Sequence, residues 1–385
     1  MSDKPIYFKG LSALRFIAAS AVIFHHIEQY KFWKGYPSIW GQEGMVGVFI
    51  DSLGHKAVSF FFVLSGFLIT YLLLAEIRKT GTVALKKFYF RRILRIWPLY
   101  YVVVLLALFV LPLITSFDHW EGLMHDSMGL VVLLHMIILP NLLRVTSIQV
   151  VGANQAWSVG VEEQFYLIWP VLVRWFHKKL PLFLVLFILI KIGAQLFFAA
   201  GGQWFDGNTA KLSDQLATLL SHMQIEQMAV GGLGAWWLFA KRENWLSVVY
   251  HPISYVLSIA LFLSFFIVDY HFIGITALEG FVFLILILNI STNPLMKIGL
   301  ENKLMTYMGN ISYGIYMIHT LVIALLITAL ESWSLSDSTF NVLLYVMAPL
   351  LTFGLAALSY RYFEQFFLRF KSRFAVVKSS TNRKS

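Results

Sequence analysis

Cysteine is absent from all 385 residues, and charge is scarce, with only 13% of positions being Asp, Glu, Lys or Arg. The first absence excludes thiolate nucleophiles, disulfide bridges and thiolate metal sites, leaving His, Glu, Asp, Ser and Tyr to carry any chemistry. The second excludes a soluble fold: 58% of the chain is hydrophobic and its mean hydropathy is +0.72, more apolar surface than a water-facing exterior can hide. Low-complexity tracts and internal repeats are lacking too, so neither a disordered scaffold nor a solenoid is indicated. Acidic residues are in the minority, 20 against 30 Lys and Arg, and the closing RFKSRFAVVKSSTNRKS contains none. Such a tail reads as cytoplasmic retention charge, with contact to anionic headgroups as the alternative.

What is present is a series of apolar runs, each about 20 residues long and able to cross a bilayer. They fall near 11–30, 55–75, 93–115, 159–176, 182–200, 223–240, 248–268, 272–291, 306–330 and 340–366. Lys4 and Lys9 precede the first run, which Arg15 and the pair His25-His26 interrupt, and no small-residue cleavage site follows. That pattern predicts a retained first helix rather than a signal peptide. Lys79, Lys86, Lys87, Arg91 and Arg92 follow the second run, Arg174, Lys178 and Lys179 the fourth, Lys241 and Arg242 the sixth, and Lys297 and Lys303 the eighth. All lie on one side if the ambiguous run 128–143 does not cross, and the opposite loops then hold Glu43, Asp51, Asp118, Glu121 and Asp126. The expectation is an all-α membrane protein with about ten transmembrane helices, a re-entrant or interfacial segment at 128–143, and both termini cytoplasmic.

Polar residues on such spans are costly, about 2.5–3.5 kcal/mol for a charge at a helix centre, and so point to function. WSVGVEEQFYLIWP opens the fourth span with Glu162 and Glu163, and Ser158 lies four residues before Glu162 on the same face. Ser158 is equally suited to capping that helix. Arg15 and His26 are eleven apart, three turns plus about 20°, and so share a face about 16 Å apart. Arg91, Arg92 and Arg95 cluster at the cytoplasmic mouth of the third span, where guanidinium forks suit phosphate, beside the alternative of plain positive-inside anchoring. Ser65-Gly66 sits mid-span, for close helix packing or a cavity wall, while Ser312, Tyr316 and His319 share a face. Glu226 has His222 one turn earlier as a partner, and the spacing of Arg361 and Glu364 suggests a salt bridge.

The ordered series LSALRFIAASAVIFHH, SFFFVLSGFLIT, FYFRRILRIWPLYY, WSVGVEEQFYLIWP, SYGIYMIH and YRYFEQFF resembles acyltransferase family 3, the bacterial membrane O-acyltransferases, over residues 9 to 368. This chain reads SAL where Asp-Gly often precedes Leu-Arg in that family, which leaves the turn before Arg15 undefined. The resemblance implies a membrane domain over 1–368 of the stand-alone type, a basic cytoplasmic tail over 369–385, and a place in the bacterial cytoplasmic membrane. It implies Arg15 and His26 at the core of the site, Arg92 and Arg95 at an acyl-coenzyme A donor, and Ser158 and Glu162 as a further pair. Together the residues and the resemblance suggest acetyl transfer from cytoplasmic acyl-CoA, a co-substrate rather than a resident cofactor, to a hydroxyl of an envelope carbohydrate or glycolipid. His26 is then the base, Glu162 or Glu163 orients it, and Ser65, Tyr316 or His319 steadies the oxyanion. One continuous passage joins the arginines to His26 in this scheme, with no metal and no nucleic acid involved. A secondary transporter is the alternative, although the paired half-repeats it usually shows are not found.

Overall fold

The computed structural model describes residues 5–40, 45–115, 117–146, 148–268, 270–296 and 299–377, with backbone alone for Met45 and 118–126. Glu43, Lys297, the end of the basic tail and the side chains of Asp118, Glu121 and Asp126 therefore lie outside the described residues. The described chain is helical throughout its regular elements.

Two elements make the centre: α2 (Met45–Thr80) and α8 (Ile225–Phe239). They touch backbone to backbone, because a Cβ on Gly66 would run into the Met228 carbonyl and one on Gly231 into that of Val63. Small residues give apolar helices this approach inside a membrane, where no hydrophobic effect drives them together. Every residue of α8 from Glu226 to Ala235 is buried. Around this pair stand α1 (Leu11–Trp33), α13 (Ser312–Glu331) and α11 (Ile275–Thr292), while α3 (Leu85–Leu105) and α5 (Ala156–Phe176) close one flank.

Among the described residues, seven helical runs are long and apolar enough to cross a membrane, or eight if the bent pair Glu243–Tyr250 and Pro252–Ser264, which meet at 58°, counts as one span. The run Ala156–Ala199 is a hairpin rather than a rod. Along a straight helix Trp169 and Phe187 would be about 27 Å apart, yet their ring centroids are 6.5 Å apart and Phe176 stacks on Phe183 at 4.9 Å. The chain thus reverses at His177–Lys179, and α6 (Leu180–Ala199) returns beside α5. Most of the ten expected runs lie on unbroken helix, but that near 248–268 is broken at His251, that near 306–330 at Ile311, and α8, at 15 residues, spans only about 22 Å. The ambiguous run ends its helix, α4 (Asp118–Met136), well before residue 143. Ile138 then takes a left-handed φ of 58°, and the hydroxyls of Tyr100 and Tyr101 cap the His135 and Met136 carbonyls at 3.0 and 2.8 Å.

Buried ion pairs tie the bundle together. Lys191 on α6 donates to Glu226 Oε1 at 2.7 Å, and Thr276 donates to the same oxygen, so the partners of Glu226 come from other helices rather than from His222. Lys56 and Ser59 likewise meet Glu279. The Arg361–Glu364 salt bridge expected from spacing is not made. Tyr360–Glu364 is a π-helical turn, whose wider winding removes the i,i+3 alignment. Arg361 lies over the Tyr362 ring, and Glu364 accepts from Ser359 at 3.2 Å.

Candidate active site

A cavity of about 840 Å³ opens among α1, α2, α3, α5 and α13, and eight of the eleven candidate site residues line it: Arg15, Ser65, Arg91, Arg92, Arg95, Ser158, Glu162 and Tyr316. Arg15 enters from α1, and Arg91, Arg92 and Arg95 from α3. Arg91 is committed to protein partners, lying 3.4 Å from Glu76 Oε2 and donating to the Phe374 carbonyl at 2.7 Å. Glu76 also accepts the Ala84 N–H at 2.7 Å, which anchors the start of α3. Arg92 stands over the rings of Phe88 and Tyr166, at 5.4 and 5.2 Å. Among the described residues Arg15, Arg92 and Arg95 have no carboxylate within 4 Å. Guanidinium groups left this way in a cavity wall suit a polyanion.

Deeper in, Ser158, Glu162 and Tyr166 recur every four residues on α5 and all face the cavity, as helical spacing requires. Ser65 donates to Glu162 Oε1 at 2.6 Å and receives Tyr166 at 3.4 Å, so Ser65 lines the cavity while Gly66 next to it serves packing. Glu163 points elsewhere and accepts from Trp97 Nε1 at 3.1 Å. At the apex the Ser158 and Tyr316 hydroxyls are 2.6 Å apart, and Ser158 also donates to the Gln155 carbonyl at 3.1 Å.

His26 and His319 are not in the cavity wall. The Tyr316 ring, which lines the cavity, lies 5.9 Å from the His319 ring between centroids. Behind it His319 Nε2 lies 3.1 Å from His26 Nδ1, and His26 Nδ1 lies 3.0 Å from the Val22 carbonyl. A carbonyl only accepts, so the Val22 contact assigns the proton to Nδ1, shared with His319 Nε2 as a second acceptor, and Nε2 of His26 then keeps its lone pair. The orienting group is therefore this backbone carbonyl one turn earlier. Neither Glu162 nor Glu163 reaches the imidazole, contrary to expectation, because Ser65 and Trp97 hold them. On the far side His25 meets the His26 ring at 4.9 Å and the His55 ring at 5.6 Å, and its Nδ1 is 3.7 Å from the carboxylate of Asp51, 82% exposed. The expected continuous passage is thus interrupted by a single layer, Tyr316 and His319, between the arginine-lined cavity and an imidazole series leading to solvent.

A family model described as an acyltransferase domain matches residues 8–361. The chain belongs to acyltransferase family 3. It is 26% identical over 382 residues to a Staphylococcus aureus protein named "Putative O-acetyltransferase", covering 93% of this chain and 57% of that one. To the peptidoglycan O-acetyltransferase of Listeria monocytogenes it is 28% identical over 399 residues, 93% of this chain and 55% of the relative. An uncharacterized Haemophilus influenzae protein is 30% identical over 211 residues, 53% of this chain and 84% of that one. The chain thus spans a little over half the length of the first two relatives. No solved structure matches it. Further cavity residues escaped the sequence reading as site residues, among them Glu76, Tyr166, Tyr313, Tyr360, Glu364 and Lys371. Glu364 carried a signal, but its i,i+3 spacing to Arg361 pointed the wrong way.

Proposed function

We propose that this membrane protein is an O-acyltransferase, moving an acyl group, acetyl by preference, from cytoplasmic acyl-CoA to a hydroxyl of an envelope carbohydrate or glycolipid. It would lie in the bacterial cytoplasmic membrane with the arginine end inside. One observation carries the reading: a single cavity joins Arg15, Arg91, Arg92 and Arg95 to the Ser65–Glu162 and Ser158–Tyr316 pairs, and stops one side chain short of His26. The phosphates of the donor sit on the guanidinium groups, and its pantetheine arm runs past Arg15 toward the apex.

Transfer begins when the Tyr316 hydroxyl leaves Ser158 and turns to the thioester oxygen, which opens the layer in front of His319. The acceptor hydroxyl, arriving from the His25 side, gives its proton to His26 Nε2 as its oxygen attacks the thioester carbon. The oxyanion takes the Tyr316 hydrogen bond, the carbon–sulfur bond breaks, and the thiolate takes the proton from the imidazolium. Glu162 holds Ser65 and balances the nearby guanidinium charge rather than orienting the imidazole. The reading is tested by measuring acetyl-ester content of surface glycans in a deletion strain, its complement, and a complement carrying Arg92→Gln. Loss on deletion, recovery with the wild type and failure with Arg92→Gln are expected. Unchanged ester content in the deletion strain, with uptake of a solute lost instead, would make the protein a transporter.

A further inference from the structure

Beyond α14 (Asp337–Ser359) the chain does not leave the bundle. It passes through the π-helical turn Tyr360–Glu364 into α15 (Gln365–Lys371), and that turn brings Tyr360 and Glu364 to the cavity wall. Two turns after Glu364, Lys371 reaches the same wall. Ser372–Phe374 then forms a tight turn, and a strap to Val377 follows, with Ser372, Ala375 and Val377 also lining the cavity. Two cations hold the strap by its backbone, Arg91 of the cavity wall through the Phe374 carbonyl at 2.7 Å and Lys79 through that of Val376 at 3.4 Å. The Phe374 ring stacks on Phe90, centroids 5.3 Å apart and planes 14° apart.

Lys371 has no carboxylate within 4 Å among the described residues. The charges acting on it are Arg95, Arg92, Arg91 and Arg15, all of its own sign. The carboxylates that share the cavity wall are otherwise engaged: Glu76 with Arg91, Glu162 with Ser65 and Glu364 with Ser359. Five converging cations face three carboxylates of the same wall, so net positive charge remains there, and a polyphosphate relieves that excess in a way a neutral carbonyl does not.

We propose that Lys371 and the strap after it belong to the donor site: Lys371 is a fifth cation for the donor phosphates, and the strap covers the entrance until those phosphates draw Arg91 from the Phe374 carbonyl. This rests on the polyphosphate donor of the proposed function. A charge-assisted bidentate contact replaces a hydrogen bond to a neutral acceptor, so the exchange favours the phosphate. Once Arg91 has turned, the aromatic stack and the Lys79 contact remain to hold the strap.

The test is calorimetric binding of coenzyme A, and separately of pantetheine, to the full chain in nanodiscs. Lys371→Gln should weaken coenzyme A binding about tenfold and leave pantetheine binding within twofold, while Lys371→Arg stays near wild type. In turnover the Lys371→Gln loss should appear in the donor KM, with kcat within twofold. The exposed Lys87→Gln is the control, with binding expected unchanged. Ending the chain after Lys371 should speed coenzyme A association several-fold in stopped-flow measurements. Wild-type affinity in Lys371→Gln together with a clear loss in Arg92→Gln would remove Lys371 from the site and leave the donor reading standing. Unchanged affinity in both would overturn the donor reading itself, and unchanged association after truncation would overturn the strap as a cover.

Discussion

Replacing His26 by Gln separates chemistry from packing, because the two consequences differ in size. The imidazole makes two polar contacts in the bundle, to the Val22 carbonyl at 3.0 Å and to His319 at 3.1 Å. At about 0.5–1.5 kcal/mol net for each hydrogen bond, losing both destabilises the fold by about 1–3 kcal/mol, which a chain of this size tolerates. Gln is closer in volume than Ala, so no large void adds to that cost. Loss of a general base lowers the rate about 10²–10⁴-fold, equivalent to about 2.7–5.4 kcal/mol on the barrier. The assay is transfer of labelled acetyl from acetyl-CoA to an acceptor glycan by purified protein in nanodiscs, normalised to the folded fraction from thermal unfolding. A fall of at least a hundredfold is expected, with the melting temperature lowered by only a few degrees and the donor KM within threefold. Transfer within tenfold of wild type in a folded His26→Gln protein refutes the assignment of Nε2 as the base, and with it the role given to the Val22 carbonyl.

Three further outcomes follow from the geometry. Tyr316→Phe removes the hydroxyl proposed to meet the oxyanion, and kcat should fall about 10²–10³-fold at an unchanged donor KM; a change confined to KM would count against it. Gly66→Ala forces a methyl into the Met228 carbonyl, where backbone faces backbone and cannot give way, so a loss of about 3 kcal/mol is expected, and an unshifted unfolding curve would show that the α2–α8 contact is looser than described. Lys191→Met alone strands the Glu226 carboxylate, which is wholly buried, at about 3–5 kcal/mol. Adding Glu226→Leu should return most of that stability, and a double variant no better than the single would contradict the buried ion pair.

Hydropathy made the helices legible, because a membrane leaves backbone polar groups no partner but their own helix. Spacing made half the site legible. Ser158 and Glu162 share a wall, and Arg15 and the Arg91–Arg95 cluster share a cavity, because helical phase is set locally. Glu162 and Glu163 looked alike in sequence and serve different partners, since 100° of rotation sends one to Ser65 and the other to Trp97. What stayed hidden depended on backbone groups or distant chain. The Val22 carbonyl carries no side-chain signature, the π-helical turn at Tyr360–Glu364 breaks the periodicity that pattern reading assumes, and Lys191 finds Glu226 from 35 positions away.

The layer of Tyr316 and His319 was hidden for a different reason, which bears on the mechanism. Sequence places Arg15 and His26 on one helix face and an arginine cluster suited to phosphate on another span, and so implies a passage between them. A passage standing open from cytoplasm to exterior would also admit water to the thioester, and hydrolysis would compete with transfer at every turnover. A two-sided enzyme therefore needs a seal at the point where its two substrates meet, made of groups that take part in the reaction and so move only when both are bound. Tyr316 fits that requirement: its hydroxyl is held by Ser158 at 2.6 Å on the cavity side, and its ring rests against His319 on the other. The interruption of the passage is then the resting state of the proposed reaction, and the residue that interrupts it is the one whose hydroxyl is assigned to the oxyanion.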